Sequence, residues 1–200
     1  MRSWSIDAYL DRLAARHPTP AGSAVAALNL AQAAALLTMV ARFRVAPVHP
    51  AQSVLGRADE LRETALRVAE ADADVVDQVA AAYALPRSTE AERGRRAAAI
   101  GDALLAAAGP PAELVAVGAE LVGLCERMVD VASGALLGDV AAAADATAAA
   151  LSISRTNVEA DTGPRRGTPE AERLAAELGA VDDLLRRAAG VRDDVRRAFA

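Results

Sequence analysis

The residues best placed to do chemistry lie in the turn Pro18-Thr19-Pro20-Ala21-Gly22-Ser23. Its two prolines fix two backbone angles, and Gly22 permits close approach of another group. Ser23 and the first amides of the helix that follows are donors at the positive end of a helix dipole. Such a turn can hold a carboxylate, a carbonyl or a polar heterocycle. The same residues also make an ordinary helix start with Ser23 as its cap. A second candidate is Asp139, which follows Gly138 and precedes the uncharged run Val-Ala-Ala-Ala-Ala. An aspartate there either caps a helix or faces a pocket at its mouth. Asn157 and Asp161, four apart, share one face further along the same helix.

Other chemistry is poorly supplied. The two histidines, His17 and His49, sit in proline-rich turns, and no Glu-x-x-His motif is present, which disfavours a di-iron bundle. No metal site is expected. All 22 basic residues are arginines, so Schiff-base chemistry and a phosphate-loop lysine are excluded. The pairs Arg95-Arg96, Arg165-Arg166, Arg186-Arg187 and Arg196-Arg197 mostly sit among acids, as solvated faces do. With a net charge of −5, no nucleic-acid surface is expected. Cys125 lies in an apolar run and reads as a small buried hydrophobe in a reducing compartment. The N-terminal residues lack the apolar core of a signal peptide, so a cytoplasmic location is expected.

The elements that must position these residues are helices. Alanine, leucine and valine dominate a 53% hydrophobic chain with only 2% aromatics, which favours close-packed helices over sheet. The expectation is a single all-α domain over residues 1–200. It takes the form of an orthogonal or up-down bundle of about six to seven helices with a long central helix. A first helix over 6–16, capped by Ser5, carries Ile6, Tyr9, Leu10 and Leu13 on one face. A second runs from the turn to Val45, before Pro47 and Pro50. Its segment 24–41 has no formal charge; it mimics a membrane span but reads better as a buried central helix. A long third helix covers 51–83. Thr89-Glu90-Ala91-Glu92 opens a fourth as a capping box, and Gly109-Pro110-Pro111 precedes a fifth. Residues 133–138 break the chain, and a sixth helix runs from an Asp139 cap to about residue 160. Thr168-Pro169 opens one final helix.

Taken together, four stretches resemble the cyclodeaminase/cyclohydrolase family, which contains the C-terminal domain of formiminotransferase-cyclodeaminase and stand-alone methenyltetrahydrofolate cyclohydrolases. HPTPAGSAVAALNLAQAAALLTMVARF is similar to its entry motif, usually Pro-Thr-Pro-Gly-Gly-Gly-Ser-Val-Ala-Ala-Leu. Glu70-Ala71-Asp72 through Leu85-Pro86-Arg87 resembles its aspartate-rich helix ending in Ala-Tyr-x-Leu-Pro-Lys. Pro111-Ala112-Glu113-Leu114 resembles Pro-Leu-Glu-Val. Asp139 with Asn157 resembles Ser-Asp followed by Asn-Val-x-x-Asn. The departures are Ala21-Gly22-Ser23-Ala24 for the glycines and serine, Gly138 for a serine, Asp161 for the second asparagine, and Arg44 through Pro50 in place of a lysine-rich stretch.

The resemblance implies a homodimeric helical enzyme acting at the one-carbon bridge between N5 and N10 of tetrahydrofolate, as a cyclohydrolase or a cyclodeaminase. The tetrahydrofolate derivative is then the substrate, with no tightly bound cofactor. Pro18, Thr19, Pro20, Gly22, Ser23, Asn157 and Asp161 would bind it, and Asp139 would supply the catalytic carboxylate. Two other readings stay open: the same fold acting on a different amidine or cyclic imine, and a catalytically silent dimeric binding protein.

Overall fold

Alanine at positions 24, 26, 27, 31, 33, 34 and 41 lets three neighbours approach one helix closely, and that helix organises the molecule. The computed structural model describes residues 2–44 and 51–200. Val45, Pro47, His49 and Pro50, where the second helix was expected to end and a turn to follow, lie outside the described residues. Within them the helices are α1 (Ile6–Ala14), α2 (Gly22–Arg44), α3 (Ala51–Tyr83), α4 (Glu90–Ala107), α5 (Gly109–Val129), α6 (Leu136–Thr162), α7 (Pro169–Ala176) and α8 (Val181–Ala198). Short 3-10 turns, Gly163–Arg165 and Glu177–Ala180, join the last three. No strand occurs among the described residues, and the expected all-α class holds.

Helix α2 is the centre. It packs on α3, α6 and α5, while α8 closes over α5 and α6 and α4 runs beside α3. Leu30, Leu37 and Val40 are fully buried among Leu121, Met128, Val140 and Leu151. Each such leucine contributes about 2 kcal/mol of transfer free energy on burial. Helices α5 and α6 meet at Gly118, where a Cβ would stand 2.7 Å from Leu151 Cδ2, so a larger residue would displace the Leu151 side chain. Three segments, within Gly22–Phe43, Glu90–Val129 and Leu136–Arg165, are long and apolar enough to cross a membrane by length and composition. The most apolar window of the first is 61% buried inside the bundle, in line with its central position.

Local signals placed most helix ends. Thr89 Oγ1 accepts from the Glu92 amide at 3.2 Å, and Glu92 Oε2 accepts from the Thr89 amide at 2.9 Å, closing the capping box. Ser5 caps α1 through the Ala8 amide. The arginine pairs near the C-terminus meet acids: Arg186 reaches Asp183, Arg187 reaches Glu126 and Arg196 reaches Asp193.

Four expectations change. Helix α1 stops at Ala14, and its apolar face is only partly covered, with Ile6 78% and Leu10 52% exposed. Ser23 is the second residue of α2, so it does not cap the helix. Asp139 is also no cap, because α6 begins at Leu136 and holds Asp139 inside its first turn. The final helix is two, α7 and α8, split by the 3-10 turn at Glu177–Ala180. The apolar seam Ala171, Leu174, Leu178, Val181, Leu184, Ala188, Val191 and Val195 runs unbroken across that turn. A seam with uninterrupted helical spacing gives no sign of the tightened turn inside it.

Candidate active site

The buried stripe of α3 passes through Leu61, Ala65, Val68 and Ala69, and the next position on it is Asp72. Helical spacing therefore carries a carboxylate into the interior, where it is only 3% exposed. Opposite it stands Ser23. The Asn157 Nδ2 donates to Ser23 Oγ at 2.9 Å. That leaves the serine hydrogen free to go to Asp72, with which the side chain is bonded. Burial pushes the Asp72 carboxyl up, while the Ser23 bond pulls it down. Its position beside the first turn of α2 also puts it at the positive end of that helix.

Asp161 lies one turn beyond Asn157. Burial first, and then the charge of Asp72, push its carboxyl up to about 6. Asp161 thus sits close enough to Asp72 to feel it as a like charge. Gly22 packs directly on this group: a Cβ there would meet Asn157 Nδ2 at 3.4 Å and Ile153 Cγ2 at 3.8 Å.

In front of Asp72 opens a cleft of about 280 Å³, walled by Trp4, Arg12, Thr19, Pro20, Ala24 and Glu70. The Thr19-Pro20 peptide is cis. Arg2 holds the N-terminal segment against α3 through Glu63 at 2.6 Å and Glu70 at 3.3 Å. Trp4 also walls a neighbouring apolar cleft of about 240 Å³ with Tyr9, Leu28 and Leu66. The Tyr9 hydroxyl there is buried with no partner among the described residues.

The structure therefore brings together most, but not all, of the residues singled out in the sequence. Thr19 and Pro20 wall the cleft, and Gly22, Ser23, Asn157 and Asp161 stand behind it. Pro18 is exposed and outside the wall. Asp139 is elsewhere: it lies 18 residues before Asn157 on α6. At 1.5 Å per residue that is about 27 Å along the helix axis. Within one chain the two cannot meet the same small ligand. Asp72, Glu70, Trp4 and Arg12 were not singled out as site residues. For Asp72 a signal existed, a charged residue at an apolar position of the α3 stripe. Cys125 is fully buried, and burial pushes its thiol up to about 12, which makes it inert.

Comparison with known proteins bears on this arrangement. A family model described as Formiminotransferase-cyclodeaminase matches residues 5–178. The chain belongs to the formiminotransferase-cyclodeaminase family. That match includes Thr19, Ser23, Asp72, Asn157 and Asp161, so all of the cleft but Trp4 lies within the family's part of the chain. A methenyltetrahydrofolate cyclohydrolase from Methylorubrum extorquens is 29% identical over 194 residues, covering 90% of this chain and 93% of that protein. The crystal structure of a formiminotetrahydrofolate cyclodeaminase from Thermotoga maritima superposes with a TM-score of 0.79 at 24% identity. It covers 98% of this chain and 96% of the other, and it shows that this member of the family has the cyclodeaminase fold.

Proposed function

We propose that this member of the family is a methenyltetrahydrofolate cyclohydrolase, with the chemistry at Asp72. One observation carries the reading: a buried carboxylate, oriented by the Ser23–Asn157 pair, opens onto a cleft that has a second acid, Glu70, in its wall. The methenyl bridge is a delocalised amidinium cation, and a desolvated carboxylate is its natural counterion.

The reaction follows from that placement. Water adds to the bridging carbon and Asp72 accepts its proton, giving a neutral tetrahedral carbon. The hydroxyl proton of that intermediate moves to N5 as the C–N5 bond breaks. The formyl group stays on N10, and one proton is released overall. Asp161, its carboxyl raised to about 6, receives and passes on the proton that Asp72 takes up. Trp4 and the apolar cleft beyond it suit an aromatic body attached to the bridge. On this reading the substrate is a tetrahydrofolate derivative with no tightly bound cofactor. The enzyme is cytoplasmic and homodimeric, and a second copy covers the exposed Ile6 and Leu10 of α1.

Mixing the purified protein with methenyltetrahydrofolate and following loss of its near-ultraviolet absorbance tests the proposal. Acceleration over buffer supports it, and hydrolysis at the buffer rate overturns it. One observation favours a second reading, a different cyclic amidine as substrate. Ala24, where the family motif has a serine, is 2% exposed and its methyl is part of the cleft wall. Turnover of a smaller cyclic amidine, with none of the folate, would select that reading.

A further inference from the structure

Among the charged groups around the cleft, Arg12 is the cation without an acid. Arg2, on the same side, is engaged by Glu63 and Glu70. The Arg12 guanidinium pairs with no carboxylate among the described residues; its side-chain partner is His17, with Nη2 2.6 Å from Nε2. A guanidinium can only donate, so Nε2 accepts and the ring hydrogen sits on Nδ1. Nδ1 lies 2.9 Å from the Thr19 carbonyl and 3.3 Å from the Thr19 amide; in this tautomer it donates to the carbonyl, and the longer amide contact is not a hydrogen bond. His17 is a strut: it is anchored on the turn that walls the cleft, and it holds the arginine beside that wall. One of five guanidinium N–H groups is used in this way, and the fork remains open to a ligand.

We propose that Arg12, positioned by His17, is the anion-recognising residue of this cleft and receives a carboxylate of the substrate. The assignment rests on the folate reading, in which the carboxylates lie on the tail remote from the one-carbon bridge. The surroundings of the bridge are acidic, through Asp72, Glu70 and Asp161, and would repel such a tail. Arg12 supplies the opposite charge at the rim. It sets which end of the ligand faces Asp72, and with it the preference for a tailed substrate.

The test compares methenyltetrahydrofolate with the same compound lacking its glutamate tail, on the full chain. Arg12→Gln is expected to raise KM for the tailed compound about 10-fold, with kcat changed less than about twofold, and to leave the tail-less compound unaffected. His17→Ala should give a smaller rise of the same kind. His17→Gln should restore KM, because an amide can both accept from Arg12 and donate to Thr19. An equal effect of Arg12→Gln on the two compounds, or no effect on either, overturns the proposal. So does a His17→Gln variant no better than His17→Ala. If the wild-type protein turns over neither compound, the cyclohydrolase reading fails by itself. Binding then decides the role of Arg12, through fluorescence of Trp4, the one tryptophan of the chain and part of the same wall. Weaker binding of the tailed compound alone by Arg12→Gln keeps the assignment; unchanged binding, or none to the wild type, removes it.

Discussion

Asn157 and Ser23 are 134 residues apart in sequence, and their side chains meet at 2.9 Å, the amide donating to the hydroxyl. This bond joins the end of α6 to the start of α2 and turns the serine hydrogen toward Asp72. It therefore serves packing and chemistry together. Asn157→Ala should leave the buried Ser23 without its donor and cost about 1–3 kcal/mol, read from urea unfolding. Turnover should fall with it, because Asp72 loses its fixed orientation.

Asp72 and Asp139 make opposite predictions. Asp72→Asn keeps the shape and the hydrogen-bonding capacity of the side chain but removes its base, so turnover should drop about 10²- to 10⁴-fold. The fold should persist, since a neutral amide is easier to bury than a carboxylate. Asp139→Asn, in the first turn of α6 and far from the cleft, should keep turnover near wild type. It should cost only about 0.5 kcal/mol, from the lost charge at the helix start. Assaying the two variants side by side separates the two aspartates. A dead Asp139→Asn beside a fully active Asp72→Asn would move the chemistry to the other end of α6.

Asp161 gives stability a pH dependence. Its carboxyl titrates at about 6 in the folded protein against 3.8 when unperturbed, so the folded state holds the proton more tightly. The group's favourable contribution is complete below the lower value and is lost as pH rises through the higher one. Asp161→Asn removes that loss. The variant should be the more stable by about 1 kcal/mol at neutral pH, a figure reduced for partial exposure, and the gain should shrink toward the lower value. Thermal unfolding of both proteins across this range measures it. A gain that grows on acidification would contradict the assignment.

Gly118 reports on the close contact of α5 with α6. In Gly118→Ala the new methyl would lie 2.7 Å from Leu151 Cδ2, so the buried Leu151 side chain must move from its packed position. A loss of about 1–3 kcal/mol is expected, against the usual gain from replacing a helical glycine by alanine. Calorimetric unfolding shows the sign directly. Leu151→Val in the same chain should recover part of the loss by shortening the opposing side chain.

Much of this protein could be read before any fold was seen. Periodicity gave the long helices, because burial on one face repeats every three to four residues and leaves its mark in the chain. Thr89, Pro110 and Thr168 marked helix starts because capping is a matter of adjacent residues. The turn at Thr19 and Pro20 stood out for the same local reason. Tertiary structure alone decided which carboxylate meets that turn. Asp72 looked like one acid among several on an acidic helix, and only the packing of α3 on α2 makes its position an inside one. Asp139 and Asn157 share a helix, and sequence could not tell which end of it faces the cleft. The length of α6 settles that: a rigid helix carries Asn157 to Ser23 and, by the same geometry, carries Asp139 away.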